Sequence, residues 1–195
     1  MKNIFITQRE VIISNETRDS LDNRWLFFMD KCYIMPVLIP NKKNILRNYI
    51  SDFQCDGIIL SGGGNIHSLG GDKRRDDIET LLIEYSIKKN IPLIGVCRGM
   101  QKIQDFFGIS LEKVEGHVQE KQEIYINKKI HKVNSFHNYG TFQNNDNFEI
   151  WAMGKDKVIK AIKHKKFQIS GIMWHPERIS PNRQFDINFF REFFK

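Results

Sequence analysis

Residues 91–101 read Ile-Pro-Leu-Ile-Gly-Val-Cys-Arg-Gly-Met-Gln. The stretch begins with apolar residues at nearly every position, which is typical of a parallel strand covered on both faces. It then passes through Gly-x-Cys-x-Gly into a segment where Met100, Ile103 and Phe106 recur at helical spacing. A buried strand that turns sharply into a helix is the repeating unit of an α/β sheet, so this stretch predicts an α/β fold.

The same alternation extends in both directions from this stretch. Strands are predicted before it at residues 3–7, 33–39 and 57–60, separated by amphipathic segments with apolar residues at helical spacing (Leu21, Trp25, Phe28 and Cys32; Ile45, Leu46 and Tyr49; Ile78, Leu81, Leu82 and Tyr85). After it come short, often alternating strands at 123–126, 132–135, 148–152, 158–163 and 168–173, and a Phe-rich helix at 185–194. We therefore predict one domain over residues 1–195, a three-layer α/β sandwich whose mostly parallel central sheet gains antiparallel strands in the second half.

Composition excludes several classes of protein. The chain has 195 residues, 41% of them hydrophobic, so it can bury a core and is not disordered. Its apolar stretches are far shorter than the ~18 residues of a membrane-spanning helix, so no membrane is expected. The net charge of +7 comes from basic residues that do not alternate with aromatic residues, so no nucleic-acid partner is expected. Three widely spaced cysteines and no export segment after Met1 predict reduced thiols in the cytoplasm.

Cys97 is the strongest candidate for chemistry. Glycines two residues before and two after it permit a strained turn that projects the thiol at a helix N-terminus, where thiolate is favoured. The backbone N–H of Arg98 would then face an oxyanion on the attacked carbon. The alternative is that Cys97 is a small buried residue and the glycines serve close packing of strand and helix. For Cys32 and Cys55 that inert interpretation is preferred.

Three other segments carry polar residues where predicted strands end. His175 and Glu177, in Trp-His-Pro-Glu, can form a base and the carboxylate that orients it; a turn with a surface histidine is the alternative. Residues 61–64, Ser-Gly-Gly-Gly, can turn backbone N–H groups towards a ligand or form a plain turn. Residues 134–139, Asn-Ser-Phe-His-Asn-Tyr, are more polar and aromatic than a plain loop needs.

Taken together and in this order, these motifs resemble the class I glutamine amidotransferase family over nearly the whole chain. The resemblance implies Cys97 as nucleophile, His175 as base and Glu177 as its orienting partner. It implies an oxyanion hole formed near Gly63 and Arg98. The remaining implied substrate contacts are Gly62 and Gly64 of the glycine-rich loop and Gln101, which would contact the bound glutamyl group.

Within the family, Val-Asn-Ser-Phe-His at residues 133–137 is similar to the branch of free-standing γ-glutamyl hydrolases. The resemblance therefore adds Ser135, Phe136 and His137 as substrate-binding residues. Asn138 and Tyr139 stand where the branch often has His and Gln, and Asn65 and Ser68 where it often has Asp and Pro. The resemblance implies that these positions lie towards the leaving group, so the departures put the identity of the released amine in doubt.

The implied activity is hydrolysis of a γ-glutamyl amide through a γ-glutamyl thioester, with a small-molecule substrate and no metal or cofactor. Two rival functions remain: a glutaminase subunit that supplies ammonia to a synthetase partner, and a catalytically silent binding module. If the leaving group carries phosphate, Arg74 and Arg75 are expected to bind it, because a guanidinium matches phosphate oxygens. The alternative is that both arginines begin a helix and pair with nearby carboxylates at Asp76, Asp77 and Glu79. The oligomeric state is left open.

Overall fold

A computed structural model describes residues 1–195 and contains thirteen strands and five α-helices. The strands are β1 (Lys2–Thr7), β2 (Arg9–Ile13), β3 (Glu16–Ser20), β4 (Ile34–Ile39), β5 (Gly57–Leu60), β6 (Leu93–Val96), β7 (Glu112–Lys113), β8 (Val118–Ile126), β9 (Lys129–Phe136), β10 (Tyr139–Gly140), β11 (Phe148–Gly154), β12 (Ile159–His164) and β13 (Ile169–Ile172). The helices are α1 (Arg24–Lys31), α2 (Lys43–Asp52), α3 (Lys73–Lys89), α4 (Arg98–Phe106) and α5 (Gln184–Phe193).

Nine of the strands form one sheet in the order β4-β1-β5-β6-β13-β12-β11-β8-β9. The pairs from β4 to β13 are parallel. The pairs from β13 to β9 are antiparallel. Parallel neighbours need crossover connections and antiparallel neighbours can be joined by hairpins, which is why helices alternate with strands only in the first half. The predicted mixed sheet is confirmed.

Helices cover both faces of this sheet and form two separate cores. On one face, Trp25 and Phe28 of α1 and Phe190 of α5 are buried in a cluster with alternate side chains of the strands. On the other face, Leu82 of α3 and Met100 of α4 belong to a second cluster. This arrangement confirms the predicted three-layer sandwich. None of the five helices has the length and apolar content that crossing a membrane requires.

The strand order explains why distant motifs meet. Strands β5, β6 and β13 are adjacent and parallel, so their carboxyl ends lie at the same edge of the sheet. The chain leaves them into residues 61–64, into Cys97 and into residues 173–177, respectively. In an open α/β sheet this edge is where ligands bind.

Two small strand pairs were not predicted from the sequence, the β2–β3 hairpin and the β7–β10 pair. Strands β2 and β3 form a separate two-stranded hairpin with Ser14 and Asn15 at its turn. Both turn residues have positive φ, 50° and 66°, as a type I′ turn requires. The usual signal for this turn is Asn-Gly or Asp-Gly, but the turn residues here are Ser-Asn, and β3 is polar throughout. The hairpin begins at Arg9, beside the glycine-rich loop.

Candidate active site

Cys97 sits at the junction of β6 and α4 with strained backbone angles, φ 52° and ψ −106°. Its N–H donates to the Ile172 carbonyl at 2.7 Å, which fixes the turn to the neighbouring strand β13. Gly99 allows the close approach of α4 to β5, because a Cβ there would lie 2.0 Å from the Leu60 carbonyl oxygen. The glycines therefore serve packing, as the alternative interpretation held, and the turn they permit also presents the thiol at the start of α4.

The His175 imidazole is fixed from two sides. Its Nδ1 lies 2.7 Å from Glu177 Oε1, so Nδ1–H donates to the carboxylate and Nε2 is left for the hydrogen bond with Cys97. The side-chain amide of Asn134 donates to the His175 carbonyl at 2.8 Å and accepts from the His175 N–H at 2.7 Å. This amide clamp holds the backbone while Glu177 selects the tautomer, so the imidazole has one orientation.

The electrostatics favour a thiolate beside an imidazolium. Burial alone would raise the pKa of the Cys97 thiol, but the charge of His175 and its hydrogen bond outweigh burial and hold that pKa below its usual value. Burial alone would lower the pKa of His175, but the charges of Cys97 and then Glu177 raise it to about 9. By contrast, burial raises the pKa of Cys32 to about 12 and that of Cys55 to about 11. A selectively activated thiol is therefore present only at Cys97.

The glycine-rich loop is held from behind by Arg75. The Arg75 guanidinium donates to the carbonyls of Ser61 at 2.6 Å and Gly63 at 2.8 Å, and more weakly to that of Gly62 at 3.4 Å. Because peptide N–H and C=O groups point in opposite directions, the N–H groups that follow these carbonyls, including that of Gly63, point away from Arg75. Gly62 packs beneath the imidazole, where a Cβ would lie 2.5 Å from His175 Cε1.

A cavity of about 290 Å³ opens over these groups. Its lining comes from the glycine-rich loop, from α4, from the segment after β9, from the end of β13 and from the hairpin (Gly63, Gly64, Asn65, Cys97, Gln101, Phe136, His137, Asn138, Tyr139, His175, Arg178 and Arg9). On the side of α4, Gln101 Nε2 donates to the Tyr139 carbonyl at 2.9 Å, and His137 Nδ1 donates to the same oxygen at 2.9 Å. This side of the cavity is rigid and polar.

Behind His137 lies a buried lysine. The Lys160 Nζ group lies 2.8 Å from His137 Nε2 and 2.7 Å from His117 Nδ1, and it donates to Ser135 Oγ at 3.4 Å. Burial, followed by the charge of Lys160, lowers the pKa of His137 to about 3, and burial lowers the pKa of Lys160 to about 8. His137 therefore faces the cavity as a neutral imidazole whose Nδ1–H is held by the Tyr139 carbonyl.

Most of the predicted site residues line this cavity or support it. Cys97, Gly63, Gly64, Gln101, Phe136, His137 and His175 line it, while Glu177 and Gly62 contact the imidazole. Arg98 contributes only its backbone, at the first turn of α4, where N–H groups have no partner within the helix. Its guanidinium is buried and pairs with Asp76 and Glu79.

Besides Gly62, which lies against the His175 imidazole, three predicted substrate contacts do not line the cavity. Arg75 is only 3% exposed, and its guanidinium is engaged by Glu79 and by the loop carbonyls. Arg74 is exposed but lies outside the cavity lining and pairs with Asp72 and Glu10. Arg75 therefore follows the alternative of pairing with Glu79, whereas Arg74 pairs with Asp72 and Glu10, which that alternative did not name. Neither guanidinium lines the cavity, so neither is placed to bind a leaving group in it. Ser135 is buried beside Lys160 and does not line the cavity.

Four residues of the site were not singled out from the sequence. Asn134 fell inside the polar strand end but was given no role, and Tyr139 was noted only as a departure from the branch. Asn134 acts through its side-chain amide, and Tyr139 acts through its carbonyl, which accepts from Gln101. Arg9 and Arg178 line the cavity from β2 and from the turn after Glu177. The only sequence signal for Arg178 was its position next to the His-Pro-Glu segment, and Arg9 had no signal because its hairpin was not predicted.

The chain resembles known proteins along most of its length. The family model for glutamine amidotransferase class-I matches residues 30–195. The chain is 36% identical over 187 residues to the gamma-glutamyl-CDP-amidate hydrolase of Campylobacter jejuni, with 90% of each chain covered. It is 31% identical over 158 residues to one subunit of the glutamine-hydrolyzing GMP synthase of Methanosphaera stadtmanae, with 72% of this chain and 74% of the relative covered.

A solved structure of a candidate GMP synthase subunit from Thermoplasma acidophilum superposes with a TM-score of 0.75 at 22% identity, covering 100% of this chain and 92% of the other. At that identity the likeness shows a shared fold. The family match and the named hydrolase among the relatives confirm the prediction of a hydrolytic enzyme. The chain belongs to the class I glutamine amidotransferase family.

Proposed function

We propose that residues 1–195 act as one domain that hydrolyses γ-glutamyl amides through a cysteine-bound intermediate. The single observation that carries the proposal is the arrangement of three side chains at one cavity. The Cys97 thiol has a pKa below its usual value beside His175, and His175 is fixed by Glu177 at 2.7 Å. Such an arrangement supplies a nucleophile, a proton carrier and an orienting carboxylate.

In the first half-reaction, the Cys97 thiolate attacks the γ-carbonyl carbon. The oxygen that becomes negatively charged accepts hydrogen bonds from the backbone N–H groups of Gly63 and Arg98. The C–N bond then breaks, and the leaving nitrogen takes the proton from His175 Nε2. A γ-glutamyl thioester and a neutral imidazole remain, and the amine departs.

In the second half-reaction, water attacks the thioester carbon and gives a proton to His175 Nε2. The C–S bond breaks, glutamate is released, and the thiolate–imidazolium pair is restored. Gln101, Phe136 and His137 contact the glutamyl group, as the family resemblance implies. The raised pKa of His175, about 9, keeps a proton available to the leaving nitrogen at neutral pH.

We further propose that the leaving group is a nucleoside diphosphoramidate, so that γ-glutamyl-CDP-amidate would yield glutamate and cytidine diphosphoramidate. This finer assignment is supported by the gamma-glutamyl-CDP-amidate hydrolase relative at 36% identity. It is also supported by the charge of the cavity, whose lining includes two arginines and no acidic residue.

A second candidate function has its own support. The GMP synthase relative, at 31% identity, favours a glutaminase that passes ammonia to a synthetase partner. The two functions use the same nucleophile, so the choice depends on the amine and on the need for a partner. A glutaminase of this kind would prefer free glutamine and would gain activity when its partner is added.

The test is an assay of glutamate release by the purified chain alone from a panel of γ-glutamyl compounds. The panel contains a γ-glutamyl nucleoside diphosphoramidate, a neutral γ-glutamyl anilide and glutamine. The proposal expects turnover without a partner and highest kcat/KM for the phosphoramidate. Turnover of glutamine alone, or activity only after a synthetase is added, would favour the second function. No glutamate release from any member would contradict both.

A further inference from the structure

The cavity lining contains two arginines outside the Cys97, His175 and Glu177 group. The charge of Arg178 also helps to lower the pKa of the Cys97 thiol. Arg9 and Arg178 line the same space as Cys97 and His175, and no Asp or Glu side chain lines it. Arg9 has no carboxylate partner, and the one carboxylate near Arg178 is Glu177 at 3.5 Å, which is already engaged by His175, so the two guanidinium groups bring net positive charge to the cavity. This charge can serve either the α-carboxylate of the glutamyl group or an anionic leaving group.

Arg9 is available to a ligand because the protein gives it no partner. It is exposed on β2, and no carboxylate forms an ion pair with it, whereas Arg18 on β3 of the same hairpin pairs with Glu16 at 2.6 Å. Arg9 lies beside the glycine-rich loop, since a side chain at Gly63 would meet the Arg9 stem at 3.2 Å. Its guanidinium is therefore next to the segment proposed to bind the oxyanion.

Arg178 lines the same cavity from the turn after Glu177. Its guanidinium lies over the Phe136 ring, 5.5 Å from the ring centroid, and its Nε is buried without a hydrogen-bond partner. The nearest carboxylate oxygen, Glu177 Oε1, is 3.5 Å from Nε and already accepts from His175 at 2.7 Å. The aromatic ring holds the guanidinium plane in place and leaves its N–H groups for a ligand.

The leaving group departs into the cavity that both arginines line. Its nitrogen is bonded to the carbon that Cys97 attacks and takes its proton from His175, so any substituent on that nitrogen extends towards the mouth of the cavity. Arg9 stands on the side of Gly63, and Arg178 follows His175 by three residues. A guanidinium fork matches two oxygens of one phosphate, so two arginines match a group that carries two phosphates.

We infer that Arg9 and Arg178 form an anion subsite for a diphosphate on the leaving group, replacing the role expected of Arg74 and Arg75. This inference rests on the proposed hydrolysis and adds the residues that select its leaving group. The subsite acts on the departing half of the substrate, so its contribution is greatest for phosphorylated amines and falls as salt screens the charges.

The test compares two substrates in matched variants. The selectivity ratio is kcat/KM for the γ-glutamyl nucleoside diphosphoramidate divided by kcat/KM for the neutral γ-glutamyl anilide. Arg9→Gln and Arg178→Gln should each lower this ratio about tenfold or more, the scale of a charge-assisted hydrogen bond. Arg18→Gln removes the same charge from the same hairpin and should leave the ratio unchanged. Equal losses on both substrates would assign the arginines to the glutamyl carboxylate and overturn the inference.

A binding measurement separates this inference from the proposed function. Inorganic pyrophosphate is titrated calorimetrically into the wild-type protein and the three variants at low salt. Binding that weakens in Arg9→Gln and Arg178→Gln but not in Arg18→Gln supports the subsite even if the enzyme hydrolyses neither substrate. If the wild type hydrolyses the anilide, yet pyrophosphate binding and the selectivity ratio are the same in all four proteins, the subsite is wrong and the glutamyl chemistry stands.

Discussion

His175 is oriented by groups from three parts of the chain. Glu177 fixes its tautomer from two residues away, Asn134 clamps its backbone from β9, and Gly62 leaves space for its ring. The charge of Glu177 also raises the pKa of His175. Orientation and proton affinity are therefore supplied by different neighbours and can be tested separately.

Removing the charge of Glu177 should move the pH profile. In Glu177→Gln, the amide oxygen can still accept from Nδ1–H, but the negative charge that raises the pKa of His175 is lost. In the wild type, kcat/KM should fall as the pH rises through about 9, because the imidazolium that protonates the leaving nitrogen is lost. In the variant, this fall should occur at lower pH, and kcat should drop about ten- to a hundredfold. This fall of kcat/KM at high pH is called the basic limb of the profile. If the basic limb of the variant stays at the wild-type pH, it reports the titration of a group other than His175.

Asn134→Ala offers a contrasting result. It removes the clamp but no charge, so kcat should fall while the basic limb keeps its position. Measuring both variants over the same pH range distinguishes misplacement of the ring from a change in its proton affinity. A shift of the limb in Asn134→Ala would contradict this division of roles.

Thiol reactivity should single out Cys97. A γ-glutamyl electrophile such as a diazo-ketone glutamine analogue should label Cys97 at neutral pH, since His175 lowers its pKa. Cys32 and Cys55 should be spared, because burial raises their pKa values to about 12 and about 11. Peptide mass mapping after brief exposure gives the distribution of label. Equal labelling of all three cysteines would contradict selective activation.

At the scale of elements, α3 and α4 are joined by buried charges. Glu79 of α3 accepts from Arg75 at 2.9 Å and also contacts Arg98 of α4 and Thr7 of β1. Asp76 pairs with Arg98 as well. This network holds the Arg75 side chain, and Arg75 holds the glycine-rich loop. A substitution in the network should therefore alter the loop and lower activity.

Glu79→Gln should destabilise the protein and disturb the loop. Removing one partner of a buried ion pair costs about 3–5 kcal/mol, because the remaining charges stay buried. Urea unfolding should show a loss of that order, and glutamate release should fall even under folding conditions. Asp77→Asn is the control, since Asp77 is partly exposed and pairs with Lys43 at 3.0 Å, a contact worth about 0–1 kcal/mol. Equal stability losses in the two variants would contradict this role of the network.

The large sheet and the helices could be predicted from the sequence, because their apolar residues either recur at helical spacing or form a continuous run. The sequence did not predict the β2–β3 hairpin, whose strands bury little and whose turn lacks glycine. It assigned Arg74 and Arg75 by their position after the glycine-rich loop, but helix geometry sends Arg75 inward to Glu79. Burial of a charged side chain depends on partners that are distant in sequence, so periodicity alone could not reveal it.

At the scale of the whole molecule, stability depends on buried groups that remain neutral. His137 is 4% exposed, and its pKa is lowered to about 3 by burial and then by the charge of Lys160. Below pH 6.5 the unfolded chain binds a proton at this residue, while the folded protein does not until about pH 3. The contribution of His137 to stability is therefore present above pH 6.5 and is lost as the pH falls.

The variant His137→Gln tests this dependence, because glutamine can bond the same neighbours but does not titrate. The measured quantity is the free energy of unfolding of the wild type minus that of the variant. This difference should decrease by about 1 kcal/mol per pH unit as the pH is lowered from 6.5 to 4. Urea midpoints of both proteins measured across this range give the difference. A difference that stays constant or grows in acid would contradict a buried neutral His137.

We propose above all that hydrolysis depends on Cys97. The direct test measures glutamate release from a γ-glutamyl amide by purified Cys97→Ala and by the wild type, side by side. The substitution removes one sulfur atom from a site where α4 and β6 are held by backbone contacts, so the urea midpoint should remain close to the wild-type value. We expect glutamate release by the wild type and none above background by the variant. A folded Cys97→Ala protein that keeps about a tenth or more of wild-type release would contradict the role of Cys97 as nucleophile.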